Sequence, residues 1–325
     1  MDILAFFDTL LWPIKWAIEV ILVAFHTVFE AVGMDGDAGI TWVLSIVGLT
    51  LVVRAALIPI FVKQIKSQRK MLEVAPELKK IQDKYKGKKD QFSREAMSRE
   101  TMAMYKKNGT NPLSSCLPLL LQMPVFFGLF TVLRNAQMDI PGVGLLNPQL
   151  AESFGESALF GAPLRLAIST AGEATPPNSP LLVIIIASVM VVLMSASQFI
   201  TQLQIMSKNQ SAATKESPMF KQQKMLLYVL PLVFAFSGFT FPLGVMFYWL
   251  VSNFWTMGQQ FLVIRNMPSP GSEAELAREA RLAKKRQRRG FTVIDEGTPE
   301  VVEEPKPAQR KQPVNPKNRK KKKKR

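Results

Sequence analysis

The stretch ITWVLSIVGLTLVVRAALIPIFV, residues 40–62, decides the fold of this chain, because it is apolar throughout except for one charged side chain, Arg54. About 20 apolar residues are enough for a helix to cross the hydrocarbon core of a bilayer, so the stretch predicts a membrane span. A guanidinium at the centre of a span is unfavourable by at least about 2.5 kcal/mol. The presence of Arg54 therefore requires an explanation.

Two interpretations of Arg54 are open from this segment alone. At about 1.5 Å per residue, Arg54 lies roughly 21 Å from Ile40 and 12 Å from Val62, nearer to one membrane surface than to the other. Its side chain can extend to that surface, where Lys63 marks the interface. Alternatively, it faces a water-filled cavity inside the protein.

The rest of the chain has the same character as this stretch. Of its 325 residues, 48% are hydrophobic, and they are gathered into long uncharged blocks that are typical of a multi-pass membrane protein. Pro242 and Gly244 divide the last block into two. We expect an all-α membrane protein with five transmembrane helices, at residues 40–62, 113–133, 181–203, 225–241 and 243–264.

The basic residues are distributed unevenly, and this predicts the orientation. Lys and Arg exceed Asp and Glu by fourteen to six in residues 63–109, by four to one in 208–224 and by nineteen to eight in 265–325. Acids are in excess in residues 1–39 and 134–180. We therefore expect an extracytoplasmic N-terminus and a cytoplasmic C-terminus.

Residues 10–32 carry Lys15, Glu19, His26 and Glu30 at helical spacing, with two Trp residues near the start. A polar stripe of this kind favours an amphipathic helix lying in the outer interface, within an extracytoplasmic segment 1–39. A sixth span in which Lys15 and Glu19 pair inside a bundle is the alternative.

The segments between the spans are predicted from their composition. Residues 63–112 combine many charges with helix-spaced apolar residues and a break at Gly87, which predicts a cytoplasmic helical hairpin, either self-contained or used for docking. The others are an extracytoplasmic loop at 134–180, a cytoplasmic loop at 204–224 and a basic, largely disordered cytoplasmic tail at 265–325.

No enzyme signature, metal site or cofactor motif is found in the sequence, so we do not expect catalysis. The spans instead contain amides, including Gln122, Gln198, Gln202 and Asn253. These can hydrogen-bond between helices, or they can line an aqueous pocket together with Arg54. The tail ends in Lys320, Lys321, Lys322, Lys323, Lys324 and Arg325, which can bind phosphate backbones or anionic lipids, or only fix the topology.

Several motifs resemble those of the YidC-type membrane protein insertases. They are VVRAALIPIFVKQIKSQRKM, PELKKIQDKY, MAMYKKNGTNPLSSCLPLLLQMPVFFGLF and FPLGVMFYWLVSNFWTMGQQFLVIR, and the resemblance covers roughly residues 10–266. The most specific part is the NPL-x-x-C-x-P-x-L-x-Q-x-P pattern at 111–124.

The resemblance implies five helices around a hydrophilic groove that is open to the cytoplasm and closed on the outer side. It places Arg54 in that groove, where it attracts acidic residues of an incoming polypeptide, and it suggests groove positions for Gln198 or Gln202 and for Trp249. It also implies a short-form member in the cell membrane of a bacterium with one membrane.

The function implied is insertion and folding of nascent membrane proteins, alone or beside the Sec translocon, with the ribosome and membrane lipids as further partners and no specific DNA binding. Two other classes remain alternatives: a small-solute anion transporter or channel that uses Arg54, and a membrane anchor for ribosomes or nucleic acid that uses the tail.

Overall fold

The computed structural model describes residues 3–88, 90–109, 117–138, 140–211 and 218–289, and the described chain is mostly helical. A single short β-hairpin and one 3-10 helix, Ile168–Glu173, accompany the helices in this part of the chain. The α-helices are α1 (Ile3–Ala31), α2 (Gly39–Glu73), α3 (Ala75–Lys84), α4 (Gln91–Lys107), α5 (Leu117–Gln137), α6 (Pro148–Glu156), α7 (Pro180–Lys208), α8 (Pro218–Thr240), α9 (Leu243–Asn266) and α10 (Glu273–Arg288).

Three helices in the described residues are long and apolar enough to cross a membrane. The apolar stretches are Thr9–Ala31 in α1, Gly39–Ser67 in α2 and Pro180–Lys208 in α7, and α8 adds a shorter one, Leu227–Thr240. The chain is thus a helical membrane protein. Length and composition alone do not distinguish α1 from a span, although its polar stripe predicts an interfacial helix.

The long helices pack around one apolar core. Helix α7 contacts both α8 and α9, α9 packs on α2, and α1 packs on α2 and α5. The core lies towards the end of the bundle that is covered by residues 140–179, which we call the cap. Its buried side chains include Trp42, Ile46, Leu49, Leu129, Leu133, Val183, Ala187, Met190, Met194, Val245 and Met246.

The cap consists of α6, the antiparallel strands β1 (Ala158–Leu159) and β2 (Ala162–Pro163), and the 3-10 helix. It is joined to the start of α9 by backbone hydrogen bonds of 3.0 Å from the N–H groups of Leu243 and Gly244 to the carbonyls of Leu166 and Leu164. At Gly244 a Cβ would lie 2.6 Å from Nε2 of Gln137, so a larger residue there would require the Gln137 side chain to move. The all-α prediction missed the strands, because two-residue strands leave no periodic pattern.

Helices α3 and α4 pack together as a hairpin through Ile81, Met104 and Tyr105. The turn contains Gly87 with a φ of 86°, at the predicted break. Helix α2 continues without interruption from Val62 to Glu73, so the first predicted span and the start of the segment that follows it share one helix.

Proline residues affect the long helices in two ways. Pro59, Pro124 and Pro231 lie inside α2, α5 and α8, where each removes the N–H that would bond to the carbonyl four residues earlier. Pro242 instead separates α8 from α9, where it precedes the first helical residue.

Candidate functional site

The polar side chains nearest the centre of the bundle come from three helices. Gln122 of α5 donates a hydrogen bond from Nε2 to the hydroxyl oxygen of Tyr248 on α9, at 3.2 Å. The Tyr248 hydroxyl lies within electrostatic range of the Arg54 guanidinium of α2. We call Arg54, Gln122 and Tyr248 the polar layer.

Two members of the polar layer lie at the same depth in the bundle. Arg54 is fifteen residues from Gly39, the cap end of α2, and Gln122 is fifteen residues from Gln137, the cap end of α5. Each is therefore about 22 Å along its helix from the cap. Arg54 and Gln122, which are far apart in sequence, therefore lie at the same level of the bundle.

Hydrogen-bonding capacity in the polar layer is not used up. Nε of Arg54 and Oε1 of Gln122 are buried, and neither has a hydrogen-bond partner among the described residues. A buried polar atom without a partner is unfavourable by about 1–3 kcal/mol. Water or a polar ligand would satisfy these atoms.

Further unpartnered polar atoms lie beyond the polar layer, on the side away from the cap. In the described part of the chain they include both amide atoms of Gln64 on α2 and Oε1 of Gln202 and of Gln204 on α7. Nδ2 of Asn253, ten residues from the cap end of α9, is also buried without a partner among the described residues. The buried hydroxyls of Ser197 and Thr201 differ, because each donates to a carbonyl of its own helix.

The bundle is therefore asymmetric along its axis. On the cap side of the polar layer the interior is filled with buried apolar side chains such as Leu49, Leu129 and Met194. On the other side, buried amides from α2 and α7 lack protein partners within the described residues. A hydrophilic recess closed at the cap would have this distribution of polar and apolar side chains.

Other predicted site residues lie elsewhere or have no distinctive contacts. Trp249 belongs to an aromatic cluster, in which its ring stacks on Phe126 at 5.4 Å and meets Phe234 and Phe241 edge to face. Gln198 is half-buried on α7, one turn before Gln202. The predicted tail contacts Lys320, Lys321, Lys322, Lys323, Lys324 and Arg325 lie outside the described residues.

Sequence reasoning missed Tyr248 and Gln64. A tyrosine in an apolar block resembles packing, and only its spacing of four residues from Ser252 hints at a polar stripe. Gln64 is 3% exposed although it follows Lys63 in a charged stretch. No local signal distinguishes it from a surface residue.

No group of three His, Cys, Asp or Glu side chains that could hold a metal ion is present among the described residues. His26 is used structurally. Its Nε2 lies 2.9 Å from the carbonyl oxygen of Gly36, and its ring packs on Trp42 with centroids 4.0 Å apart.

Comparison with known proteins identifies the family. The model of the family described as 60Kd inner membrane protein matches residues 33–270. The chain belongs to this family. The region matched to the 60Kd inner membrane protein family includes α2 to α9 and hence the whole polar layer, whereas α1 lies before it.

Relatives in the 60Kd inner membrane protein family are similar over most of the chain. A protein of Tropheryma whipplei (strain Twist) named Membrane protein insertase YidC is 45% identical over 85% of this chain and 90% of its own length. Proteins with the same name from Streptomyces avermitilis and Bifidobacterium longum are 46% and 36% identical, over 87% and 85% of this chain and 64% and 81% of their own lengths.

Proposed function

We propose that this protein is a membrane protein insertase, which transfers nascent membrane proteins from the cytoplasm into the bilayer. The observation that carries the proposal is the polar layer around Arg54, which retains unpartnered buried polar atoms in the described bundle. The names of the similar proteins from T. whipplei, S. avermitilis and B. longum agree with it.

The membrane placement in this proposal has five spans, α2, α5, α7, α8 and α9, with the cap outside and the α3–α4 hairpin and the tail inside. It is supported by the basic excess in residues 63–109 and 265–325 and by the acidic excess in residues 134–180, which include the cap. The unpartnered amides then lie in the cytoplasmic half of the bundle.

Contacts of α1 support its placement across the bundle in the outer interface. Ile14 lies against Gly128 of α5, and Phe25 lies against Gly48 of α2. Gly128 and Gly48 are each nine residues from the cap ends of their helices, so two points on α1 eleven residues apart reach about the same depth. A helix parallel to the spans would change depth by about 16 Å over that distance.

Insertion in this scheme requires no bond chemistry in the protein. The acidic or polar outer segment of a client enters the recess from the cytoplasm, where Arg54 attracts its carboxylates and the amides replace part of its hydration. The apolar segment of the client passes into the lipid beside α7 and α9. The recess shortens the dry path that polar groups must cross, and this path is the main source of the barrier.

The charge of Arg54 is the first test of the proposal. Replacement Arg54→Ala should reduce insertion of a client with an acidic outer tail at least about fivefold, which corresponds to about 1 kcal/mol. Arg54→Lys keeps the charge and should retain most of the activity. Insertion is measured in proteoliposomes by protease protection of the tail.

A client with an uncharged outer tail serves as the control, since it should depend much less on Arg54. Equal insertion of the acidic client by the wild type and by Arg54→Ala would contradict the proposed role of the guanidinium.

We also propose that the ribosome contacts the basic tail and that the protein acts either alone or with the Sec translocon.

A further inference from the structure

The tip of the cap hairpin contains an unusual backbone conformation. Phe160 has a φ of 53°, and it is the one residue other than Gly in the described chain with a positive φ. A bulky side chain in the left-handed region is strained. Two-residue turns of this kind normally have Asn or Asp before the Gly, and here Gly161 follows with a φ of 79°.

Packing within the protein does not offset this strain. Phe160 is 79% exposed, whereas its neighbours Leu159 and Ala162 are buried. A large apolar side chain is therefore held away from the described protein by a conformation that it disfavours. This combination indicates a contact made outside the chain.

The hairpin tip lies at the beginning of α7. The N–H of Ser179 donates to the carbonyl of Gly161 at 2.9 Å, and a Cβ on Gly161 would lie 3.3 Å from Cδ1 of Leu182. The next turns of α7 present Leu181 and Ile185 outwards, and this helix is apolar enough to span a membrane. Phe160 is thus adjacent to the point where the lipid-exposed part of α7 starts.

We infer that the Phe160 ring inserts into the lipid interface of the leaflet at the cap end and anchors the cap and the start of α7 at that level. Burying the Phe160 side chain in lipid is favourable and would offset the strain of the turn. Trp12 and Trp16 of α1 are also exposed at this end, with Trp16 beside Gly144 of the cap. Aromatic side chains are enriched at membrane interfaces.

This inference rests on the membrane placement proposed above, and a labelling experiment separates the two. The full chain contains one cysteine, Cys116, so Cys116→Ser provides a background for single-cysteine variants. Phe160→Cys is labelled with an environment-sensitive bimane and reconstituted with lipids brominated near the headgroup or near the chain ends. Ile185→Cys on α7 and Glu152→Cys on the exposed side of α6 are the lipid and water controls.

The label at position 160 should be quenched more strongly by the shallow bromines, and the label at position 185 more strongly by the deep ones. If the label at position 160 resembles that at Glu152→Cys, with emission typical of water and no quenching, the inference is wrong. A membrane-impermeant thiol reagent applied outside tests the orientation separately, because quenching by lipid does not depend on which side the cap faces.

Replacement Phe160→Asn isolates the ring from the turn. It creates Asn-Gly, which suits the left-handed conformation, so the melting temperature in detergent should stay the same or rise. In bilayers, a bimane at Leu181→Cys should shift in depth when Phe160→Asn is added, which is seen as a changed ratio of shallow to deep quenching. An unchanged ratio would show that the ring does not anchor α7.

Discussion

Arg54 has polar neighbours within the bundle. The sequence left snorkelling and an internal cavity as alternatives. In the folded chain Nε of Arg54 is buried, and the guanidinium is within electrostatic range of Tyr248, whose hydroxyl accepts a hydrogen bond from Gln122. The burial of Nε and the proximity of Tyr248 on α9 favour an inward direction for the side chain.

Two substitutions test whether the polar layer is hydrated, because each removes a hydroxyl group that accepts one hydrogen bond. Tyr248→Phe removes the partner of Gln122, and Ser153→Ala removes the acceptor of the Trp42 indole N–H, 3.1 Å away. The Trp42 side chain is fully buried, whereas Ser153 is half-buried. In a dry site the loss is about 1–2 kcal/mol, whereas water in the recess can replace the lost partner. We expect Ser153→Ala to lower the free energy of unfolding by that amount and Tyr248→Phe by less than about 0.5 kcal/mol.

The measurement is denaturant unfolding in detergent, with both variants in the same micelles. A loss for Tyr248→Phe that equals or exceeds the loss for Ser153→Ala would mean that the polar layer is dry. In that case Arg54 would have to be satisfied by the protein alone.

At the scale of elements, the contact between α1 and the cap depends on one carboxylate. Glu19 is 1% exposed and accepts hydrogen bonds from the N–H groups of Val143 and Gly144, at 2.9 and 2.7 Å. A hydrogen bond to a charged group contributes about 1.5–3 kcal/mol to stability. The two bonds to Glu19 therefore hold the loop at 140–147 against α1.

Replacement Glu19→Gln should release that loop, because the amide removes the charge and directs an NH₂ group at a backbone donor. We expect about 1–3 kcal/mol of destabilisation and faster hydrogen exchange in residues 140–147. Glu30→Gln is the control, since Glu30 is exposed and lies 3.6 Å from His26. Equal effects of the two variants would exclude a special role for Glu19.

In the α3–α4 hairpin, the N-cap residue of α4 is the titratable Asp90. The Asp90 carboxylate accepts a hydrogen bond from the N–H of Ser93 at 2.8 Å, and this bond lowers the pKa of Asp90 below its usual value. A hydrogen bond from Lys84 likewise lowers the pKa of Glu100. Both carboxylates therefore stabilise the hairpin above the unfolded pKa values of about 4, and the stabilisation is lost as the pH falls through the lower folded values.

Asp90→Asn removes the charge but keeps a good N-cap residue, because Asn also caps helix N-termini and does not titrate in this range. Between about pH 5 and pH 3, the first turn of α4 should lose hydrogen-exchange protection in the wild type, after correction for intrinsic rates. The variant should lose much less in that turn. If hydrogen exchange in the first turn of α4 depended on pH identically in both proteins, stabilisation of that turn by ionised Asp90 would be ruled out.

How much of the fold and of the candidate site could be predicted from the sequence differs from one element to another. Long apolar blocks make Arg54 and the amides conspicuous, so the sequence predicts a mostly helical membrane protein, which the structure confirms, and it singles out Arg54 and the amides as candidate site residues. The pairing of Gln122 with Tyr248 could not be predicted, because it depends on the relative rotation of two helices 126 residues apart in sequence. The cap strands are too short to produce a pattern, and the continuation of α2 past Val62 follows from helix-compatible residues across the polarity change.

At the scale of the whole molecule, we expect insertion of clients and binding of ribosomes to depend on different charged regions. The polar layer lies in the bundle, whereas residues 290–325 carry eleven Lys or Arg residues. Deletion of residues 290–325 should weaken cosedimentation with ribosomes and reduce its salt dependence, while insertion of a purified client continues at near wild-type rate. Loss of both activities on deletion would instead favour a membrane anchor as the main function.

Helix α2 runs unbroken from the cap to the hairpin, and Pro59 lies five residues beyond Arg54. Pro59 leaves the carbonyl of residue 55 without its helical N–H donor, so α2 bends most easily there. We therefore expect a partner that pulls on the hairpin to bend α2 at Pro59. The part of α2 before Pro59 packs in the apolar core and should then hold Arg54 at the level of Gln122 and Tyr248.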